Sequence, residues 1–320
     1  MKFVGLHTQI RRNNTKSLLL LIAFPALILV GLYAVLYFIV EDQFDRIDVV
    51  NSTFLRALPI VLLIVGVWFL IAYASHSKMI QTATHAKPLE RKDNMRVYNL
   101  TENLCMTVGM KMPKLFIIES DALNAFASGI NEKTFSLTLT RGIIENLEDD
   151  ELEGVIGHEL SHIRNKDVRL LVVTIVFVGI FGVILDLAFR NLLYGRMFGG
   201  NRRSRNDGKG GGGFILVILL VAVVLYFFSM IFKLALSRSR EYMADAGAVE
   251  LTRNSQALAN ALKKVSGNSV LKTSNDEVKE LFLDNSKSDK ESKSFFASIS
   301  NMFATHPPIE KRIRILENMH

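Results

Sequence analysis

Four stretches of this chain are almost purely apolar, and the segments between them change period from helix to strand and back. Ser17 to Val40 contains no charge over 24 residues, enough to cross a bilayer as a helix. Ala57 to Ala74 is a second uncharged run, of 18 residues. Leu170 to Phe189 is a third, carrying only Asp186, and Phe214 to Leu236 a fourth, carrying Lys233 near its end, where the side chain can snorkel. Between the second and third runs the pattern is that of a water-facing domain. Residues 76–112 show helical spacing on both sides of Pro88. Leu115 to Glu119, bounded by Pro113, and Ala125 to Ser128, flanked by Asn124 and Gly129, predict short strands. Phe135 to Thr140 alternates strictly, with Phe135, Leu137 and Leu139 on one face. Leu152, Val155, Ile156, Leu160 and Ile163 then recur at helical spacing, after Asp149, Asp150 and Glu151, whose charge favours a helix N-terminus. Three strands before that helix predict a small sheet lying over it. After the fourth run, 241–265 predicts helix, 266–294 is rich in Ser, Asn, Lys and Asp and reads as a mobile insertion, and Phe295 to Met319 returns to helix around His306-Pro307-Pro308.

The spacing therefore divides the chain into an N-terminal membrane hairpin (1–74), a first water-facing part (75–167), a second membrane hairpin (168–236) with a basic Gly/Arg linker at 190–213, and a second water-facing part (237–320). Composition agrees, with 49% apolar residues. The first run is too long for a signal-peptide core and no small-x-small cleavage site follows it. A single cysteine, Cys105, allows no intrachain disulfide and fits a reducing compartment.

The net charge of +7 is placed as membrane topology places it. Lys2, Arg11, Arg12 and Lys16 precede the first run, whereas the loop 41–56 sets Arg46 and Arg56 against Glu41, Asp42, Asp45 and Asp48. The N-terminus and residues 75–167 then face the cytoplasm. Full crossing by the third and fourth runs leaves the basic 190–213 linker outside, against the same rule; a re-entrant pair keeps it inside. In both cases the two ends of the pair emerge on one side. The reading taken here is full crossing. No RNA-binding motif or aromatic interleaving accompanies the basic residues, so no nucleic-acid partner is expected, while a lipid bilayer is. No feature of the sequence sets an oligomeric state.

The chemistry lies in His158-Glu159-Leu160-Ser161-His162. Two histidines four apart share a helix face and can bind one zinc ion, with Glu159 beside the metal to take a proton from a bound water. A catalytic zinc needs a third protein ligand. The arrangement with a glycine and then a third histidine downstream is excluded, because those positions hold Asn165 and Val168. Glu241 and Asp245, four apart after the fourth run, are the best candidates: one can bind the metal while the other accepts a hydrogen bond from a ligand histidine. A paired second hairpin brings them to the His158–His162 helix, since that helix runs into the third run and theirs runs out of the fourth.

Four blocks together resemble the HtpX-like family of integral-membrane zinc metalloproteases, relatives of the prenyl-protein (CAAX) and OMA-type proteases. They are Asn124–Gly129, Gly154–His162, Ser239–Asp245 and Thr305–Ile313. The resemblance implies a mainly α protein: four transmembrane helices with a gluzincin-like cytoplasmic protease domain of helices and a small sheet. It implies that His158, His162 and Glu241 bind one zinc ion, that Glu159 is the general base, and that Asp245 supports a ligand. It implies that Asn124, Ala125, Phe126, Ala127 and Ser128 pair with the substrate backbone. His306, which by itself reads as a helix-start turn before two prolines, would help hold the oxyanion, and Arg312 would orient that segment. Substrates would be misfolded or damaged membrane proteins, or other unfolded polypeptides, at the bacterial inner membrane in a stress role. The alternatives are a prenyl-protein protease, for which four spans look too few to enclose a lipid tail, and a non-enzymatic membrane scaffold. The intact ligand set argues against the scaffold.

Overall fold

The structure is a computed structural model that describes residues 6–40, 45–170, 172, 173, 219, 221–224, 226, 238–266 and 307–319. Nearly all of the third and fourth apolar runs, the 190–213 linker, the 266–294 insertion after its first residue, and His306 lie outside the described residues. The chain forms two compact units, one of Met1–Ser17, Ser75–Val173 and Lys233–His320, the other of Leu18–Ala74 and Thr174–Phe232.

In the second unit most of the described residues belong to two helices, α1 (Leu6–Ile39) and α2 (Arg46–Thr84). They contain the first and second apolar runs. Tyr33 Oη donates to Asn51 Oδ1 at 3.0 Å, and the Tyr33 and Phe54 rings meet edge to face at 5.3 Å. Among the described residues α2 is the one helix both long and apolar enough to cross a membrane. Its Ile60, Leu63, Ile64 and Leu70 are all exposed, an apolar surface that suits lipid better than water.

The other unit holds a four-stranded sheet and a stack of helices. The strands are β1 (Lys87–Pro88), β2 (Lys114–Ile118), β3 (Ala125–Ser128) and β4 (Ser136–Thr140), in the order β1-β2-β4-β3. β2 and β4 are parallel, and β3 pairs antiparallel with β4 through Ala125–Leu139 and Ala127–Leu137. The three expected strands are present within a residue or two of their predicted ends. β1 is an addition to them, a two-residue edge containing Pro88, which an edge strand tolerates because no ladder N–H is needed there. Gly129 ends β3 at φ +115°, and a Cβ there would lie 2.5 Å from the Thr134 carbonyl oxygen, so the turn into β4 excludes other residues.

Helix α3 (Met95–Thr107) is capped by Asn94, and the short α4 (Arg141–Asn146) by Thr140. The central helix is α5 (Asp149–Arg164), which opens with a capping box between Glu148 and Glu151. Its predicted apolar stripe is wholly inside, with Leu152, Val155 and Ile156 at 0% exposure. The burial extends beyond that stripe. His158, Glu159 and Ser161 on the other faces are buried as well, because α3, β3, β4 and two later helices pack around α5. Those later helices are α6 (Arg238–Thr252) and α7 (Ser255–Val265), followed by α8 (Ile309–Glu317). The single helix expected over 241–265 is two helices. Arg253 turns to φ 55° and Asn254 caps α7, its side chain accepting from Ala257 N at 3.0 Å.

Small residues set how closely these helices approach. A Cβ on Gly154 would press on the Leu258 backbone at 3.2 Å, and one on Gly247 would meet Ser161 Oγ at 2.5 Å. Glycine weakens a helix interior. Here it allows α6 to lie against α5 at a distance no larger side chain permits.

Candidate metal centre

His158 and His162 project from α5 one turn apart, and α6 delivers Glu241 to the same point from the facing side. His158 Nε2 and His162 Nε2 are 3.2 Å apart; Glu241 Oε2 lies 3.5 Å from the first and Oε1 3.6 Å from the second. Among the described residues these three form the group able to hold a metal ion, their ligand atoms lying within 4.8 Å of one another. Tetrahedral zinc with nitrogen and oxygen ligands near 2.0–2.2 Å sets its ligand atoms roughly 3.3–3.5 Å apart. The two Nε2 atoms stand at that spacing, and the Glu241 carboxylate straddles them, with a different oxygen facing each nitrogen.

The outward nitrogens decide what the inward ones can do. His158 Nδ1 is 3.0 Å from Asp245 Oδ1, and His162 Nδ1 is 3.2 Å from Asp167 Oδ2. Each carboxylate accepts the Nδ1 proton, so that whenever the ring is neutral its lone pair is on Nε2. Two lone pairs and a carboxylate then converge, an arrangement that is repulsive without a cation. The wider charge agrees. Leaving aside Glu151, which pairs with Lys264 at the start of α5, the buried carboxylates Glu159, Glu241, Asp245 and Asp167 outnumber the buried guanidiniums of Arg240 and Arg312. Burial and the Arg312 charge both push His158 down, yet hydrogen bonds to Asp245 and Glu241 more than offset them and raise its pKa to about 9. A positive charge is favoured at this point, as a proton or as a metal. The residues fit a zinc ion.

Arg312 reaches the centre from α8 with 1% exposure. Its Nε and Nη2 donate to Asp245 Oδ2 and Oδ1 at 2.9 and 2.7 Å, a bidentate fork, and its Nη1 is 3.5 Å from Glu241 Oε2. Nη2 is equally far from both His158 ring nitrogens, 3.4 Å, so it lies over the ring and not along a lone pair. Burial raises the Asp245 carboxyl, but Arg312 and His158 outweigh it and hold the group below its ordinary value. Arg312 thus bears on α6 through Asp245 and Glu241, and not only on its own segment as the resemblance implied.

Glu159 is buried beside the pair, and its Oε2 accepts the Ala127 N–H at 2.7 Å. Thr140 N donates to Asn124 O at 3.0 Å, so alternation turns the Ala125 and Ala127 backbones away from β4, toward the open edge of the sheet. Glu159 therefore stands on the line an added strand would follow. Asn124, Ala125, Phe126, Ala127 and Ser128 are all buried.

The structure thus gathers His158, Glu159, His162, Glu241, Asp245, Arg312 and the β3 edge in one place, while His306 lies outside the described residues. Sequence reasoning missed Asp167 and Arg240. The signal for Asp167 was a carboxylate five residues past a ligand histidine, hidden because it lies beyond the end of the helix.

Residues 91–320 match the model of peptidase family M48. The whole chain is 51% identical to the protease HtpX homolog of Bacteroides fragilis strain YCH46, over 99% of both chains. The chain belongs to peptidase family M48. It is accordingly a metallopeptidase, and its ligand-like cluster is the metal-site candidate an M48 enzyme requires. A second M48 relative, the protease HtpX homolog of Lactobacillus acidophilus, is 34% identical over 98% of this chain and 100% of its own length. Among solved structures, S. mikatae Ste24p aligns with a TM-score of 0.49 and 18% identity over 97% of this chain, which spans 66% of that longer one.

Proposed function

We propose that this M48 protein is a zinc-dependent endopeptidase of the bacterial inner membrane that cleaves misfolded or damaged membrane proteins from the cytoplasmic side. The observation that carries the reading is the convergence of His158 Nε2, His162 Nε2 and a Glu241 carboxylate oxygen, with both Nδ1 atoms committed to carboxylates. Zinc bound there supplies Lewis acidity, which polarises a carbonyl and acidifies a water near neutral pH.

The remaining work belongs to the chain itself. Glu159 takes the proton of the attacking water and passes it to the leaving amine. For that it must release the Ala127 N–H, which the incoming polypeptide can take over. The edge strand β3 would take an added strand through the Ala127 N–H, the Ala125 N–H already donating to Asn124 Oδ1 at 2.9 Å, a mode that reads main chain before side chains and suits loose sequence preference. Asn124, Phe126 and Ser128 hold that strand to β4. Asp245 fixes the His158 ring, and Arg312 holds Asp245. His306 donates to the oxygen that becomes negative as the carbonyl is attacked. The exposed apolar surface of α2 supports a membrane setting, and the four apolar runs of the sequence support four crossings.

The test is Glu159→Gln in the full-length protein, purified in detergent and assayed on an unfolded polypeptide. Zinc content stays at the wild-type level while cleavage falls by at least about 100-fold, the low end of what a general base contributes. Cleavage at the wild-type rate would reject the mechanism.

A further inference from the structure

We propose that Asp167 is a positioning residue for the metal site, fixing the ring of His162 from a turn built for that purpose. This rests on His162 being a metal ligand. α5 ends at Arg164, and Asn165 N–H still donates back to Ser161 O at 2.9 Å. Lys166 then takes φ 59°, left-handed backbone that an L side chain adopts only at a cost in free energy. That single residue turns the chain so that Asp167, which a continuing helix would have carried away, comes back beside the last turn. Its Oδ2 lies 3.2 Å from His162 Nδ1, and the residue is 3% exposed. His85 and Arg253 end two other helices with the same left-handed backbone, so what distinguishes this turn is where it sets the Asp167 carboxylate.

The need for such a device differs between the two histidines. The His158 ring is 1% exposed and clamped between Asp245 and Arg312. His162 is the more open, with 14% of its side chain exposed. Without a partner on Nδ1 its ring could turn over or change tautomer and point the wrong nitrogen inward. A carboxylate acceptor fixes both the tautomer and the rotation, and makes Nε2 the stronger donor to a metal. The same residue also links the two ligand-bearing helices. The Asp167 carbonyl oxygen lies 3.5 Å from Arg240 Nη1, and Arg240 directly precedes Glu241 at the start of α6. Asp167 thus touches one ligand through its side chain and the neighbour of another through its backbone.

The experiment measures zinc affinity of the full-length, detergent-solubilised protein by competition with a chromophoric chelator, for wild type, Asp167→Asn and Asp167→Ala. Asp167→Ala weakens zinc about 10–100-fold, the usual effect of removing a partner of a ligand histidine. Asp167→Asn loses less, because its amide oxygen still accepts from Nδ1. The visible spectrum of the cobalt-loaded Ala variant shifts, while the melting temperature of the metal-free protein is unchanged. Wild-type zinc affinity and an unaltered cobalt spectrum in Asp167→Ala overturn the proposal. So does an equal loss in both variants accompanied by a lowered metal-free melting temperature, which would make the role structural. His162→Ala and Glu241→Ala in the same assay separate the two levels. If they keep zinc, the ligand assignment fails; if they lose it and Asp167→Ala does not, only the positioning role fails.

Discussion

Arg312 and Asp245 form a buried ion pair whose value lies in what it holds. Taking both charges out of water is costly, and their bidentate geometry is what offsets it. Removing one partner leaves the other charged and unpaired. Arg312→Met therefore lowers the stability of the metal-free protein by about 3–5 kcal/mol in a urea titration. Arg312→Lys restores little, since an ammonium cannot form the fork. Lys166 makes an opposite prediction. Glycine accepts the left-handed backbone that Lys166 holds at φ 59°, so Lys166→Gly keeps or raises stability, by up to about 1 kcal/mol in the same titration. At this scale the sequence was most legible where a residue acts within its own helix. His158, Glu159 and His162 share a face by spacing alone. It was least legible where a contact spans the chain: nothing local to Arg312 tells that it is buried against Asp245.

The elements carry the site because α5 and α6 pack closely enough for His158 and His162 on one to meet Glu241 on the other. At Gly247 an added Cβ would press on the Ser161 side chain, 2.5 Å from its Oγ. Gly247→Ala must move α6 outward and Glu241 with it. The expected result is a loss of about 1–3 kcal/mol in thermal unfolding, as overpacking typically costs, together with weaker zinc binding in a chelator competition. Unchanged zinc affinity would show that the spacing of α5 and α6 does not set the centre. The periodicity of the α5 stripe and of Phe135–Thr140 made the central helix and its sheet readable in advance. The break at Arg253–Asn254 was passed over although the sequence carries its signal: Thr252 to Gln256 are all polar and interrupt the apolar spacing, and Asn254 is a helix-cap residue. The position of β3 at the sheet edge was unreadable, since strand order follows from the parallel β2–β4 pairing and not from any one strand.

At the scale of the whole molecule, the metal centre belongs to a chain that also carries four apolar runs. Removing zinc with a chelator should abolish cleavage and lower the melting temperature, because a ligand that binds only the folded chain stabilises it by mass action. Returning zinc restores both. The topology has its own test. In a Cys105→Ser background, Arg205→Cys reacts with an impermeant thiol reagent in intact cells if the third and fourth apolar runs both cross, and labelling only after lysis contradicts the crossing. The central claim is that α6, far along the chain from α5, supplies the third metal ligand. Elemental analysis of purified Glu241→Ala tests it most directly. Wild type is predicted to hold one zinc per chain and the variant to have lost most of it; full zinc occupancy in folded Glu241→Ala would contradict the account.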